Sequence, residues 1–171
     1  GNAITIGVDT QSVFYQPTPF YTSVRIQVLR HPRLSATSGL VLVALVREQM
    51  SKFQWGNGVS LVRLNATRIM VPVTTDAKGN TVVDWDGMDR LGAELLDQVI
   101  THTHSARQTR AGDDDSLPDL RFEPMFIPDV FASMNAAGKW FDLSKATMRG
   151  PASHPYVART GENNGIGALI P

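Results

Sequence analysis

Apolar and polar positions alternate over short stretches at both ends of the chain and repeat at helical spacing through its middle. Ala3-Ile-Thr-Ile-Gly-Val8 alternates as a strand does, Asp9-Thr10-Gln11-Ser12 reads as a turn, and Val13-Phe-Tyr15 can pair back across it. Val24, Ile26 and Val28 alternate with Arg25, Gln27 and Arg30, which predicts a half-buried strand over residues 23–29. Ser35, Thr37 or Ser38 can cap a helix over residues 38–53. Leu40, Val41, Val43, Ala44, Val46 and Met50 make that helix apolar nearly all round, so it is expected to be buried. Gly56 and Gly58 end it in a loop, and Ser60 to Leu64 reads as a short turn.

Thr67 to Val73 predicts a strand, with Pro72 assigning it to an edge or a strand end. Asp76 to Asn80 is a turn, Thr81 to Val83 is extended, and Asp84 is a good N-cap. Trp85, Met88, Leu91, Leu95 and Val99 then form one apolar stripe on a helix running to about His104. Gly112-Asp-Asp-Asp-Ser-Leu-Pro118 is a polar, acidic linker and the clearest boundary. Beyond it, strands are expected at Arg121–Ile127, Lys139–Leu143 and Tyr156–Arg159, a short helix at Asp129–Met134, a turn at Glu162–Gly165 and an apolar end at Ile166–Ile170. The pattern predicts an α/β (α+β) fold: a mixed small sheet with a buried helix and one longer, spacer-type helix.

With 171 residues, 42% of them hydrophobic, the chain suits one domain, or one domain plus a lobe. It contains no cysteine, which excludes disulfides, thiolate metal sites, iron–sulfur clusters and cysteine nucleophiles, and fits a cytosolic protein. The longest apolar stretch, Leu40 to Val46, is too short to span a bilayer, and no basic-then-apolar signal opens the sequence. A first residue of Gly rather than Met is expected of a processed chain or a fragment. Sixteen basic and sixteen acidic residues cancel, yet they segregate. Residues 25–68 carry a balance of +6 and residues 76–98 a balance of −4. Such separation can give a neutral protein one basic face, and the cations of residues 25–68, with Arg149 and Arg159, are expected to form it.

Catalytic signatures are missing. The sequence has no phosphate-cradling Gly-x-x-x-x-Gly-Lys-Ser/Thr, no Gly-x-Ser-x-Gly elbow, no adenine-methyltransferase Asn/Asp-Pro-Pro-Tyr/Phe and no glycine-rich loop for S-adenosylmethionine. His102 and His104, two apart on a helix, point about 200° away from each other and converge on a metal only in an extended segment. Asp113-Asp114-Asp115 lacks a calcium-loop pattern and reads as solvated linker. Pro118-Asp119 and Pro128-Asp129 resemble the start of a nuclease magnesium site, but the later Asp142-Leu-Ser-Lys145 has its lysine one residue too far. What remains is a set of polar and basic residues in loops. Lys52, Gln54 and Asn57 flank Phe53 and Trp55, which are more often core anchors than base-stacking groups; Arg63 and Arg68 follow closely. Arg159, Thr160, Asn163 and Asn164 occupy a second glycine-bracketed loop. Arginine pairs with guanine, and Asn or Gln with adenine, in the major groove, while Lys and Arg hold phosphates.

These residues resemble a family. Phe53-Gln-Trp-Gly, Ser60-Leu, Arg63-Leu, Thr67-Arg-Ile-Met-Val-Pro-Val73, Gly79-Asn80 and Asp84-Trp85…Met88 resemble the end of a target recognition domain. Such domains belong to the DNA specificity subunits of restriction–modification systems, of the type I and especially the BcgI-like and type IIG kind. Val71 replaces the usual Leu before Pro72. Gly1 to Gly7, with Phe14-Tyr-Gln-Pro17 and Phe20, resembles the segment preceding it in those domains. Phe122, Met125-Phe-Ile, Phe131, Gly138, Trp140-Phe141 and Pro155-Tyr-Val-Ala-Arg-Thr160 through Asn163-Asn-Gly165 resemble the beginning of such a domain.

The back half therefore precedes the front half. Residues 1–83 correspond to a C-terminal-type half, 84–111 to a spacer helix, 112–120 to the acidic linker and 121–171 to an N-terminal-type half. The chain is either one permuted domain or parts of two in tandem, and the permuted domain is favoured because its pieces complete one core. The resemblance implies a target-recognition-domain-like fold and a non-catalytic, cytoplasmic module that reads double-stranded DNA. It also implies that the module carries an adenine-specific methyltransferase, and often an endonuclease, to its site, with no contact to membrane. S-adenosylmethionine and Mg²⁺ would belong to those partners, leaving this chain without a cofactor or metal of its own. The DNA-contacting candidates are Arg25, Lys52, Gln54, Asn57, Arg63, Arg68, Arg149, Arg159, Thr160, Asn163 and Asn164, and Leu91, Leu95 and Val99 are candidates for meeting a partner helix. Two other classes compete: a protein-binding accessory or decoy that keeps the fold, and a small α/β enzyme with an unrecognised site.

Overall fold

The computed structural model describes residues 1–54, 56–105, 118–137, 142–145 and 150–171, without the side chains of residues 102–105. Its secondary structure is mixed α and β, arranged as small sheets. The first sheet has four strands, β1 (Ala3–Gly7), β2 (Val13–Gln16), β4 (Ile26–Arg30) and β8 (Ser133–Ala136), in the order β2-β1-β4-β8. Every neighbour in it is antiparallel, with Ile4 opposite both Tyr15 and Leu29. β1 is buried along its whole length, as befits an interior strand under a helix.

Helix α1 (Ala36–Met50) lies against this sheet. Ser35 opens it with a capping box, its side chain accepting from the Ser38 backbone while the Ser38 hydroxyl accepts from the Ser35 N–H. That box starts the helix before residue 38, the expected beginning. The expectation of all-round burial is corrected: Val41, Leu42, Val46 and Met50 are buried, whereas Leu40 is 48% exposed, because only one face of α1 is covered.

A short helix, α2 (Leu61–Asn65), capped by Ser60, leads into β5 (Arg68–Thr75). β5 is the middle strand of a three-stranded sheet ordered β6-β5-β7, with β6 (Thr81–Val83) and β7 (Phe122–Phe126). Pro72 therefore does not mark an edge strand. It sits where pairing to β7 (residues 68–72) gives way to pairing to β6 (residues 73–75), a position that accommodates a residue without an N–H. Asp84 caps α3 (Trp85–Ser105) by accepting from the Gly87 N–H at 2.7 Å. After β7 comes one turn of helix, α4 (Ile127–Val130), and then β8. The short helix expected over Asp129–Met134 thus ends early. Met134 and Ala136 are instead drawn into strand pairing by the open edge of β4, opposite Leu29 and Gln27.

The third sheet is ordered β10-β9-β3, from β3 (Tyr21–Thr22), β9 (His154–Val157) and β10 (Ile166–Ile170), with β3 and β9 parallel. The main core joins Ile4, Leu29, Leu42, Leu64, Ile69 and Met88 with Ile127, Val130 and Phe131, so residues from both sides of the acidic linker fill it. The linker residues 112–117, Lys139 to Phe141 of an expected strand, Trp55 and Arg149 lie outside the described residues. Leu143, the last residue of that expected strand, instead opens a 3₁₀ turn, Leu143–Lys145.

Candidate functional site

A cleft of about 1160 Å³ opens where four turns meet. The β1–β2 turn contributes Val8, Asp9 and Thr10, and the β3–β4 turn contributes Ser23 and Arg25. The loop after α1 supplies Gln54, Gly56, Gly58 and Ser60, with Arg63 beside it on α2. The loop between β9 and β10 supplies Ala158, Arg159, Thr160, Glu162 and Asn163.

Local chemistry fixes each turn. In the first, the Gln11 N–H donates to the Gly7 carbonyl at 2.9 Å, and the Gln11 side chain donates to the Asp9 carbonyl at 2.7 Å. In the second, Arg25 adopts φ +61°, a left-handed conformation that a Cβ disfavours, and its carbonyl accepts from the Val8 N–H at 3.0 Å. Gly56 turns the third loop at φ +82°, and a bridge between Gln54 and Asn57 closes it. The Val59 N–H docks that loop on the Val8 carbonyl at 3.4 Å. The fourth loop runs through left-handed Asn163, Asn164 and Gly165, and the Gly165 carbonyl accepts from the Ala158 N–H at 2.8 Å.

Charge in the cleft is organised around Asp9. One carboxylate oxygen meets Arg25 Nη2 at 2.6 Å and the other meets Arg159 Nη1 at 2.9 Å. Arg63 donates to the Gly58 carbonyl at 2.8 Å. Arg25, Arg63 and Arg159 outnumber Asp9 and Glu162 by one positive charge. Tyr156 lies at the base, where burial, and then the nearby Asp142 carboxylate, push its phenol above its ordinary value. It therefore stays neutral and presents no negative charge there.

Of the sequence-derived candidates, Arg25, Gln54, Arg63, Arg159, Thr160 and Asn163 line this one cleft. Others are employed elsewhere. Lys52 bonds the Gln49 side chain at the end of α1, and Asn57 reaches back to the Lys52 carbonyl at 3.4 Å. Arg68 lies over the Phe126 ring at 4.3 Å on the β5–β7 sheet. Asn164 donates to the Tyr15 carbonyl at 3.0 Å while its own carbonyl accepts from Gln16, which pins the loop to β2. The expectation that the cations of residues 25–68 share one concave face is corrected. Arg30 covers Phe20, Arg33 pairs with Asp86 and Arg47 donates to the Val13 carbonyl, all away from the cleft. Leu91 belongs to the main core, whereas Leu95 and Val99 are exposed at 40% and 62%.

Sequence patterning missed Asp9, whose neighbourhood reads as an ordinary turn; its partners lie 16 and 150 residues away. Among the described residues no group of His, Asp or Glu is placed to hold a metal ion, and no helix is long and apolar enough to cross a membrane. The backbone at His102 and His104 is helical, within α3, and their side chains are outside the described residues.

The fold and this cleft together describe an α+β protein with an open cleft edged by guanidinium and amide groups. The chain belongs to the family of type I restriction modification DNA specificity domains, whose model matches residues 1–102. Membership makes it a DNA-binding, target-recognition component of a restriction–modification system. No curated protein and no solved structure matches the chain significantly.

Proposed function

We propose that this chain reads a double-stranded DNA sequence through the Asp9–Arg159 cleft and directs an adenine-specific methyltransferase, and with it an endonuclease, to that site. The observation that carries the reading is the convergence of Arg25, Gln54, Arg63, Arg159, Thr160 and Asn163 on one surface from sequence positions up to 138 residues apart. Arginine and amide side chains are the groups that distinguish base edges in the major groove. They stand here on turns anchored to sheets and, for Arg63, on α2, which gives them a fixed bearing.

The chain itself performs no chemistry in this reading, and S-adenosylmethionine and Mg²⁺ reside in its cytoplasmic partners. The assembly is of the type I or the BcgI-like and type IIG kind. The exposed members of the candidate stripe on α3, Leu95 and Val99, form its docking face for the methyltransferase. The chain is further read as one recognition domain in permuted order. The pairing of β7 with β5, β8 with β4 and β9 with β3 supports this, because strands beyond the linker complete sheets begun before it.

The test is binding of the purified chain to a randomised duplex pool over a series of salt concentrations. Enrichment of one consensus, with affinity falling as salt rises, is expected. Binding that is absent, or equal for all sequences, overturns the reading.

A further inference from the structure

We propose that Asp9 is a positioning residue for base readout, holding Arg25 and Arg159 as a paired fork that selects guanine; the inference rests on the DNA-reading function above. Each oxygen of the carboxylate takes a different arginine, Oδ1 at 2.6 Å and Oδ2 at 2.9 Å, so neither guanidinium can turn away without breaking an ion pair. The Asp9 side chain is only 20% exposed, while those of Arg25 and Arg159 are 56% and 44% exposed. The acid is thus tucked beneath and the two cations stand outward, each keeping N–H groups that the acid does not use.

The backbone supports the same arrangement. Arg25 holds a left-handed conformation that most non-glycine residues avoid, at the point where its carbonyl is fastened to Val8, the residue before Asp9. The Ser23 N–H is fastened in turn to the Val157 carbonyl at 2.8 Å, which ties the Arg25 turn to the strand leading into Arg159. Three separate turns are therefore locked together around one carboxylate.

The target follows from what such locking is good for. A phosphate is held by any nearby cation, and a carboxylate between two cations weakens that attraction. Guanine instead requires the two donors of one guanidinium to meet O6 and N7 together, which demands a fixed orientation. A carboxylate that restrains arginine rotation costs affinity for phosphate and gains discrimination for guanine, so the geometry favours base edges over backbone.

The experiment selects binding sites from a randomised duplex pool with the full chain and its Asp9→Ala, Asp9→Asn, Arg25→Ala and Arg159→Ala variants, and measures affinity for an unrelated duplex beside it. Asp9→Asn keeps the shape and removes the charge, which guards against a variant that misfolds. A wild-type consensus containing guanine is expected. Both Asp9 variants should weaken preference at those guanines about tenfold, at the positions that Arg25→Ala or Arg159→Ala also relaxes. Affinity of the Asp9 variants for unrelated duplex should be equal or higher, since a negative charge has left the cleft. Unchanged guanine preference in both Asp9 variants overturns the inference and leaves DNA reading intact. A parallel loss on cognate and unrelated duplex, or an Asp9→Asn chain that does not fold, makes Asp9 a structural residue and also overturns it. A wild-type chain with no sequence preference overturns the inference together with the proposed function.

Discussion

At the scale of single residues, neighbours in one loop divide their labour. Asn163 lines the cleft, while the Asn164 amide is consumed by the carbonyl of Tyr15 and its backbone sits at φ +52°. Asparagine tolerates that conformation better than alanine does, and its side chain supplies the bond to β2, on the exposed side of the loop. Asn164→Ala is therefore expected to lower stability by about 1–3 kcal/mol in denaturant unfolding, with base preference kept by the molecules that remain folded. Gln54 faces the cleft, and its side chain is free of that scaffolding duty in the bonds described above. Gln54→Ala should leave the unfolding midpoint unchanged and relax base preference at one position by about 1–3 kcal/mol, read from the selected consensus. An Asn164→Ala variant that keeps full stability and changes base preference would reverse this division. The loop composition makes both amides visible as candidates, but it does not separate them. What separates them is a contact to Tyr15, 149 residues away, which no local pattern encodes.

At the scale of elements, the joint between α1 and α3 is the most highly specified. Asp89 on α3 accepts from the Ser35 and Thr37 hydroxyls and the Ser38 N–H, so one helix caps the other. Burial pushes the Asp89 carboxyl up, but the bonds from Ser35, Thr37 and Ser38 outweigh it and hold the group below its ordinary value of 3.8. A depressed folded-state value contributes stability that is fully present above the ordinary value and is lost as pH falls through the depressed one. Asp89→Ala should accordingly cost about 1–3 kcal/mol near neutral pH, and the gap to wild type should narrow below about pH 4 in acid unfolding. A gap that is independent of pH would show that the charge is not what matters. Close approach at this joint also needs Gly92, where a Cβ would fall 2.3 Å from the Thr37 carbonyl oxygen. The elements here were legible because local signals agree: a Ser-rich cap, an Asp N-cap and an apolar stripe from Trp85 to Leu91. β8 was not legible. Ser133-Met-Asn-Ala136 has little strand propensity of its own, and its conformation is imposed by the edge of β4, more than 100 residues earlier.

At the scale of the whole molecule, the decisive fact is that neither side of the acidic linker is complete alone. Residues 1–105 contain β3, β4 and β5, and each of these takes a strand from beyond residue 118 as a neighbour. Ile127, Val130 and Phe131 fill the same core as Leu64, Ile69 and Met88. The cleft is divided in the same way, since Asp9 and Arg25 stand on one side of the linker and Arg159 and Thr160 on the other. Removing residues 118–171 would open an edge on the first two sheets, reduce the third to β3 alone and strip cover from fully buried side chains such as Ile69. Open edges pair indiscriminately, and a core of this size does not survive losing three large apolar side chains that each contribute about 1.5–3 kcal/mol. The intact chain is expected to unfold in one cooperative transition that is coincident by circular dichroism and by fluorescence. The fragment of residues 1–105 is expected to show no cooperative transition, to aggregate, and to lose sequence-selective DNA binding, even though it contains the whole stretch matched by the family model. Supplying residues 118–171 as a separate peptide should restore part of the cooperative transition, because the missing partners are strands and apolar side chains rather than a covalent link. A fragment of residues 1–105 that melts sharply and selects the same DNA consensus as the intact chain would show instead that the second segment is an appendage, and that recognition resides in the first alone.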